Sequence, residues 1–312
     1  MKRVLLTGAT GFIGRHCIAP LLESGYEVHA VSSKAQEERA LHANQEFRDV
    51  RWHKANLLDS AQVTSLVGEV KPTHLLHFAW YTVPGYYWTS LENLRWVQAS
   101  LDLLQAFAVH GGQRVVIAGT CAEYDWKYGY CSEQRTPLSP ATLYGACKHS
   151  LQIMLEAFAT QARLSAGWGR IFFVYGPYEH PYRFVSSVIN ALCQSKPARC
   201  SHGNQMRDFL HVEDVADAFV ALLESVVSGP VNIASGCPVA LKDIAYRIAK
   251  KLNRADLIQL GAIASPADEP PLLVADISRL CGEVGWRPKC DLDQRLEQTI
   301  SWWNSCLTND RQ

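Results

Sequence analysis

The feature that most constrains the fold lies at the head of the chain, where Val4-Leu5-Leu6-Thr7 runs straight into Gly8-Ala9-Thr10-Gly11-Phe12-Ile13-Gly14. The short apolar run reads as a buried strand. Glycines three apart directly behind it let the backbone turn tightly and come close to a pyrophosphate. A helix over Phe12–Ser24 would then present free N–H groups and a partial positive charge at the turn. A glycine pattern alone is unspecific, but between a strand and a helix it predicts a dinucleotide site. Gly8, Thr10, Gly11, Phe12, Ile13 and Gly14 are its candidate residues.

The next 160 residues or so repeat the same theme. Strands are expected at Lys2–Thr7, Glu27–Ser32, Val50–Lys54, His74–Phe78, Arg114–Ala118 and Gly167–Val174. Helices are expected between them, around Ala35–Asn44 and at Ser60–Glu69, Thr89–His110 and Thr142–Arg163. Such alternation builds right-handed βαβ units and a parallel sheet covered on both faces. The predicted fold class is α/β, a doubly wound parallel-sheet Rossmann domain with a smaller α/β lobe for substrate. After Gly176-Pro177 the pattern loosens, with helices at Val212–Val227, Leu241–Leu252 and near Leu292–Cys306 and a strand at Pro230–Ile233. No Pro/Gly/Ser linker separates the halves, so the 312 residues read as two intimate lobes. Residues 1–174 plus about 208–236 form the dinucleotide domain, and about 175–207 plus 237–312 the second lobe.

Charge and composition exclude several classes. Thirty Lys and Arg balance 30 Asp and Glu without a basic cluster, which disfavours nucleic-acid binding. No apolar run approaches the roughly 18 residues of a membrane span. Glycines by position 8 leave no room for a secretory leader, so the expectation is a cytoplasmic protein starting at or near Met1. The ten cysteines are scattered without a C-x-x-C pair and read as reduced thiols. Cys121 and Cys147 read as small core residues, since neither has an obvious partner base.

Cofactor choice turns on the end of the second strand. An acid there would bond the adenosine ribose and repel a 2′-phosphate. This chain has Ser32, Ser33 and Lys34, with Arg15 after the last glycine. Hydroxyls and cations favour NADP(H). Tyr144 and Lys148 are spaced i, i+4, on one face of a helix. A cation about 5 Å from a phenol, at an effective dielectric of about 20, contributes about 3 kcal/mol, or roughly 2.4 pKa units. That would bring the tyrosine toward neutral pH as a general acid. Thr120, at the carboxyl end of a strand, stands where such sheets present ligand groups.

These residues resemble the extended short-chain dehydrogenase/reductases, the NAD-dependent epimerase/dehydratase family that modifies nucleotide sugars. The resemblance spans nearly the whole chain. It rests on Thr7–Gly14, His77-Phe78-Ala79-Trp80, Thr120 four residues before Tyr124, Tyr144 with Lys148, Val174-Tyr175-Gly176-Pro177, and Arg207-Asp208-Phe209-Leu210-His211-Val212-Glu213-Asp214. It implies that Tyr144 is the acid/base, that Lys148 tunes it and holds the nicotinamide ribose, and that Thr120 bonds the reacting sugar oxygen. It further implies that Asn56 and Leu57 lie at adenine and Phe78, Ala79 and Trp80 along the cofactor. Arg207 would meet the nucleotide diphosphate, with Tyr81, Glu123, Tyr124 and Arg183 around the sugar. Asn93 occupies a position where many members have asparagine.

Departures narrow the reaction. The 4,6-dehydratases of the family carry an acidic pair after the catalytic Thr, whereas this chain has Cys121-Ala122. NAD-retaining epimerases usually show an acid where this chain has Ser32. Phe173 replaces an asparagine that many members place against the diphosphate. The later segments resemble ketoreductases that finish deoxysugars, the CDP-abequose-forming type among them. The expected activity is NADPH-dependent reduction of the C4 ketone of a nucleotide-linked 4-keto-6-deoxyhexose. The alternatives are an NAD-retaining 4-epimerase and a catalytically silent NADP(H) sensor. Aromatic residues crowd two loops: Trp80, Tyr81, Tyr86, Tyr87 and Trp88, then Tyr124, Trp126, Tyr128 and Tyr130. They suit sugar C–H faces or packing between lobes. By resemblance, the two long helices form a homodimer bundle; no nucleic-acid or membrane partner and no metal is expected.

Overall fold

The structure is a computed structural model and describes residues 2–33, 47–265 and 269–309. Five strands open the fold: β1 (Arg3–Thr7), β2 (Glu27–Ser32), β3 (Arg51–Lys54), β4 (His74–His77) and β5 (Arg114–Thr120). The chain continues through β6 (Tyr130–Cys131), β7 (Ser165–Ile171), β8 (Phe173–Tyr175), β9 (Ala198–Arg199) and β10 (Met206–His211). It ends with β11 (Gly229–Ile233), β12 (Pro238–Ala240), β13 (Ile258–Gln259) and β14 (Leu272–Ala275). Seven of these form an all-parallel sheet in the order β11-β7-β5-β4-β1-β2-β3. The strand order reverses between β1 and β4, which opens a crevice at their carboxyl ends.

Strand alternation divides the core in two. Val4, Leu6, Val28, Ala30, Leu76 and Val116 face helices Ile18–Glu23 and Val212–Glu224. Leu5, Val31, Leu75, Val115 and Ile117 face helices Ser60–Val70, Glu92–Val109 and Leu143–Ala162. Burial on both faces explains why these strands read as continuous apolar runs.

Two elements differ from expectation. The helix expected over residues 12–24 is a 3₁₀ turn at Gly14–Cys17 followed by an α-helix at Ile18–Glu23. Pro20 has no N–H to give to the carbonyl of residue 16, so regular α-helix cannot run through that turn. The strand expected at 167–174 breaks at Phe172. Its first part pairs with β5 and β11 in the large sheet, while Phe173–Tyr175 pairs with β10 in the smaller one. The helix expected around 35–44 lies outside the described residues.

The smaller sheet has the order β12-β10-β14-β6, with β8 added on β10, and β13 pairs separately with β9. Helices Phe184–Cys193, Leu241–Leu252 and Leu292–Asn309 close the core beside it. Residues 208–211, expected in the dinucleotide domain, hydrogen-bond within this smaller sheet, because β8 has already crossed into it. The 212–224 helix that follows returns to the large sheet. Among the described residues no helix is long and apolar enough to cross a membrane.

Candidate active site

The glycine turn is folded tightly on itself at the carboxyl end of β1. Gly11 N donates to Gly8 O at 2.9 Å. Gly8 has φ +69°, and a Cβ there would stand 2.9 Å from Ala79 N. A Cβ on Gly14 would stand 2.2 Å from Gly8 O. The turn is thus pressed against Phe78-Ala79 beyond β4, a junction that Thr7 fastens. Thr7 Oγ1 bonds His77 Nδ1 at 2.6 Å and accepts from Ala79 N at 3.3 Å. Gly11 is exposed, and Thr10, Phe12 and Ile13 are half-buried. The glycines leave the backbone of this turn open, which fits the phosphates of a dinucleotide.

At the end of β2, Ser32 is buried and Ser33 exposed, with no carboxylate at either position; Lys34 lies outside the described residues. Asn56 is exposed beside buried Leu57, and its Oδ1 accepts from Leu58 N at 3.1 Å, which ties it into a local turn. Arg15 donates to Thr10 O at 3.0 Å and lies 3.9 Å over the Tyr178 ring.

The helix Leu143–Ala162 starts at Thr142, whose hydroxyl accepts from Gly145 N at 3.1 Å, and it turns Tyr144 and Lys148 inward. Tyr144 is 9% and Lys148 3% exposed. The Tyr144 hydroxyl is hydrogen-bonded to the Thr120 side chain. Thr120 Oγ1 also accepts from Ala122 N at 3.2 Å, and Thr120 N donates to Glu123 Oε1 at 2.8 Å. These bonds end β5 and fix the threonine. Lys148 Nζ donates to Ala118 O at 2.8 Å and lies 3.7 Å over the Trp80 ring.

The electrostatics correct the simple expectation of a lowered phenol. Burial pushes the Tyr144 phenol above its ordinary value, against the pull of the Thr120 hydrogen bond. Burial also pushes Lys148 down to about 7. The phenol is raised because removal from water outweighs the hydrogen bond from Thr120.

Glu123 and Tyr124, expected around the sugar, have their polar atoms engaged beneath the site. Glu123 is fully buried, takes the Arg170 guanidinium at 2.7 Å and accepts Trp168 Nε1–H at 2.9 Å. Tyr124 is 1% exposed and donates to Asn232 Oδ1 at 2.7 Å. Both follow from Arg170, a charge on a strand buried on both faces that must find a carboxylate inside.

Arg183 lies 5.5 Å from the Tyr87 ring and hydrogen-bonds that tyrosine. Tyr87 packs edge-on to Tyr144 at 4.9 Å, so Arg183 stands one ring away from Tyr144. Buried Arg207 bonds Glu269 at 3.0 Å and faces Phe173 at 5.5 Å. Tyr81 is half-buried beside the same core that holds Tyr144. The two aromatic loops meet where Trp88 packs edge-on to Trp126 at 6.2 Å and to Tyr144 at 5.7 Å. Tyr86, Tyr128 and Tyr130 are exposed. Cys121 and Cys147 are buried, and burial raises both thiols.

Sequence reasoning missed three features: the contact between Trp80 and Lys148, the Tyr87–Arg183 pair, and Glu179. Glu179 is a buried carboxyl bonded to Ser186 at 2.5 Å and pushed up to about 7 by burial. Trp80 and Lys148 are 68 residues apart and Tyr87 and Arg183 are 96, so no local pattern announces either pair, and Glu179 lies in a loop ahead of the helix that holds Ser186.

Comparison with known proteins agrees with this architecture. The model of the "NAD dependent epimerase/dehydratase family" matches residues 4–234. The UDP-glucuronic acid decarboxylase 1 of Xenopus tropicalis is 25% identical over 320 residues, covering 98% of this chain and 73% of that protein. A UDP-N-acetylglucosamine 4-epimerase from Methanobrevibacter ruminantium superposes with TM-score 0.88 at 24% identity, covering 98% and 99% of the two chains. MoeE5, solved with UDP-glucose and NAD, superposes with TM-score 0.83 at 28% identity over 98% of this chain and all of that one. By the extent of the family match, and with the turn and the Thr120, Tyr144 and Lys148 group in place, the chain belongs to the NAD-dependent epimerase/dehydratase family.

Proposed function

We propose that this protein reduces the C4 ketone of a nucleotide-linked 4-keto-6-deoxyhexose and uses NADPH to do so. One observation carries this reading. The two residues after Thr120 are buried Cys121 and Ala122, and the carboxylate that follows, Glu123, is closed off by Arg170. Among the described residues, no free acidic pair for removing water follows Thr120, and this supports the phenol of Tyr144 as the donor in a single proton transfer.

A bound nicotinamide would supply the hydride. Thr120 and Tyr144, already hydrogen-bonded to each other, converge on the position of the carbonyl oxygen. As charge builds there, the Tyr144 hydroxyl gives up its proton and the Thr120 hydroxyl holds the oxygen in place. The Lys148 ammonium, one helical turn on, stabilises the phenolate left behind. Arg207 supplies charge for the diphosphate and Arg183 lies on the Tyr87 side of the sugar. Ser32 in place of an acid supports NADPH. Leu94, Val109 and Ile153, exposed on the two long helices, are surface that a homodimer would cover.

The second reading, a 4-epimerase that retains NAD, is favoured by the likeness to a chain named as a 4-epimerase. One assay separates them. The protein is mixed with NADPH and dTDP-, CDP- or GDP-linked 4-keto-6-deoxyglucose, and the near-ultraviolet NADPH band is followed. A reductase consumes one NADPH per sugar. An epimerase consumes none and interconverts a saturated nucleotide hexose with its C4 epimer, and that result would replace the proposal. Cofactor binding with no turnover of any sugar nucleotide would favour a sensor. Ser32→Asp should move preference toward NADH; a tenfold preference of the unaltered protein for NADH would overturn the cofactor assignment.

A further inference from the structure

The indole of Trp80 lies flat enough over Lys148 to bring its ring centre within 3.7 Å of Nζ. It is held there. Trp80 Nε1–H donates to Asn93 Oδ1 at 2.8 Å, and fully buried Asn93 donates to Tyr87 O at 2.7 Å and Ser90 O at 2.8 Å. Trp96 packs beside the indole at 6.4 Å.

Lys148 needs such a neighbour. Its ammonium is almost wholly out of water and has Ala118 O at 2.8 Å as a conventional acceptor. The charged and titratable groups around it give little help. On its own helix stands Tyr144. From β4 comes His77, which burial and the Lys148 charge hold neutral and whose two ring nitrogens are taken by Thr7 and Ser100. From the end of β5 comes Glu123, whose field favours the ammonium but whose oxygens are bound by Arg170, Trp168 and Thr120. A tryptophan face attracts a cation through its negative ring potential, and the attraction grows when water is excluded.

We propose that Trp80 is a positioning residue for the reaction, its ring face fixed by Asn93 so that Lys148 stays an aimed ammonium where no carboxylate is free to pair with it. This rests on the reading of Tyr144 and Lys148 as the catalytic pair, but its test needs neither turnover nor cofactor. The protein is labelled with ¹³Cε-lysine, the Lys148 signal is identified by its loss in Lys148→Met, and the signal is titrated by NMR. In the unaltered protein the indole ring current should shift the Lys148 ε-methylene protons upfield. Trp80→Leu should abolish that shift and weaken proton binding at Lys148 about tenfold. Trp80→Phe, which keeps a ring face, should restore part of it. An unchanged Lys148 midpoint in Trp80→Leu overturns the proposal.

Where Trp80→Leu fails to fold, fluorinated tryptophans placed at position 80 keep the shape and drain the ring face of negative potential. The midpoint should then fall stepwise with fluorination, and a flat series overturns the proposal. With substrate in hand, the alkaline limb of kcat/KM should move by the same amount as the midpoint; equal loss at every pH would mean a merely structural role. If the midpoint moves as expected while Tyr144→Phe keeps its activity, the catalytic reading falls and the Trp80–Lys148 coupling stands.

Discussion

Arg170→Met removes a guanidinium that is wholly buried. Arg170 and Glu123 are both fully buried and meet at 2.7 Å. Taking the cation away leaves Glu123 charged in the core, with Trp168 Nε1–H and Thr120 N–H as its remaining donors. Breaking one side of a buried pair costs about 3–5 kcal/mol, whereas removing both sides is often far milder. For a chain of this size each kcal/mol lowers Tm by about 2 °C, so Arg170→Met should melt about 6–10 °C lower. Glu123→Leu should cost as much, since it strands the guanidinium and frees the two N–H groups. The double variant should cost clearly less than the sum of the two singles, because it leaves no unpaired charge and its remaining cost is unpaired donors at about 1–3 kcal/mol each. The assay is a double-mutant cycle by urea and thermal unfolding, with calorimetry to establish a two-state transition. Singles that cost less than about 1 kcal/mol, or a double equal to their sum, would refute this picture of the pair.

Tyr144→Phe should keep cofactor affinity near that of the unaltered protein and lower turnover by about 100-fold or more; a variant retaining most activity would place the proton donor elsewhere. Gly14→Ala sets a Cβ 2.2 Å from Gly8 O, so the turn must open; cofactor titration should show at least a tenfold loss of affinity, with the sugar-nucleotide site less affected. Acid should destabilise the fold. Burial holds His77 and His211 at about 3, so as pH falls below about 6.5 the unfolded chain takes up protons first and stability is lost progressively down to about pH 3. By about pH 5.5 each costs about 1 kcal/mol, while Glu179, raised to about 7, opposes them by gaining stability over the same range. Urea unfolding at several pH values should therefore show a steeper acid decline in Glu179→Gln than in the unaltered protein.

Much of the large sheet was legible because its signals are local. The run Val4-Leu5-Leu6 and its counterparts have the length and apolarity of strands buried on both faces, and the glycine turn must follow the first of them. Helix Leu241–Leu252 and strand Glu27–Ser32 match expectation to the residue. What failed depended on distant partners. Helix Phe184–Cys193 follows a loop rich in Tyr, His and Pro, and nothing in that loop marks its start at Arg183. Met206–His211 carries Arg207, Asp208 and His211, a poor strand by composition. It is one because Asp208 is fully buried and accepts from Ser235 N and Oγ, Gly236 N and Ala275 N, satisfying a charge that a sequence pattern counts as exposed. At the candidate site, the i, i+4 spacing predicts that Tyr144 and Lys148 share a helix face, and the structure buries both, with Tyr144 bonded to Thr120. The direction of the phenol shift was not legible, since it depends on how much water Tyr87 and Trp88 exclude.

The smaller sheet collects strands from residues 130–131, 173–175, 206–211, 238–240 and 272–275, and the chain returns to the large sheet twice between them, at 165–171 and 229–233. Such a lobe is not a cassette. A single cut-and-join anywhere between Thr7 and Leu272 would divide this sheet or the seven-stranded one, so one crossover within that span cannot exchange the lobe between relatives. Specificity has to drift residue by residue, at rims such as Phe173 and Arg183, while the braided backbone beneath stays whole. For the protein engineer the same threading makes point libraries at the cleft the workable route and chimeras of halves the unpromising one.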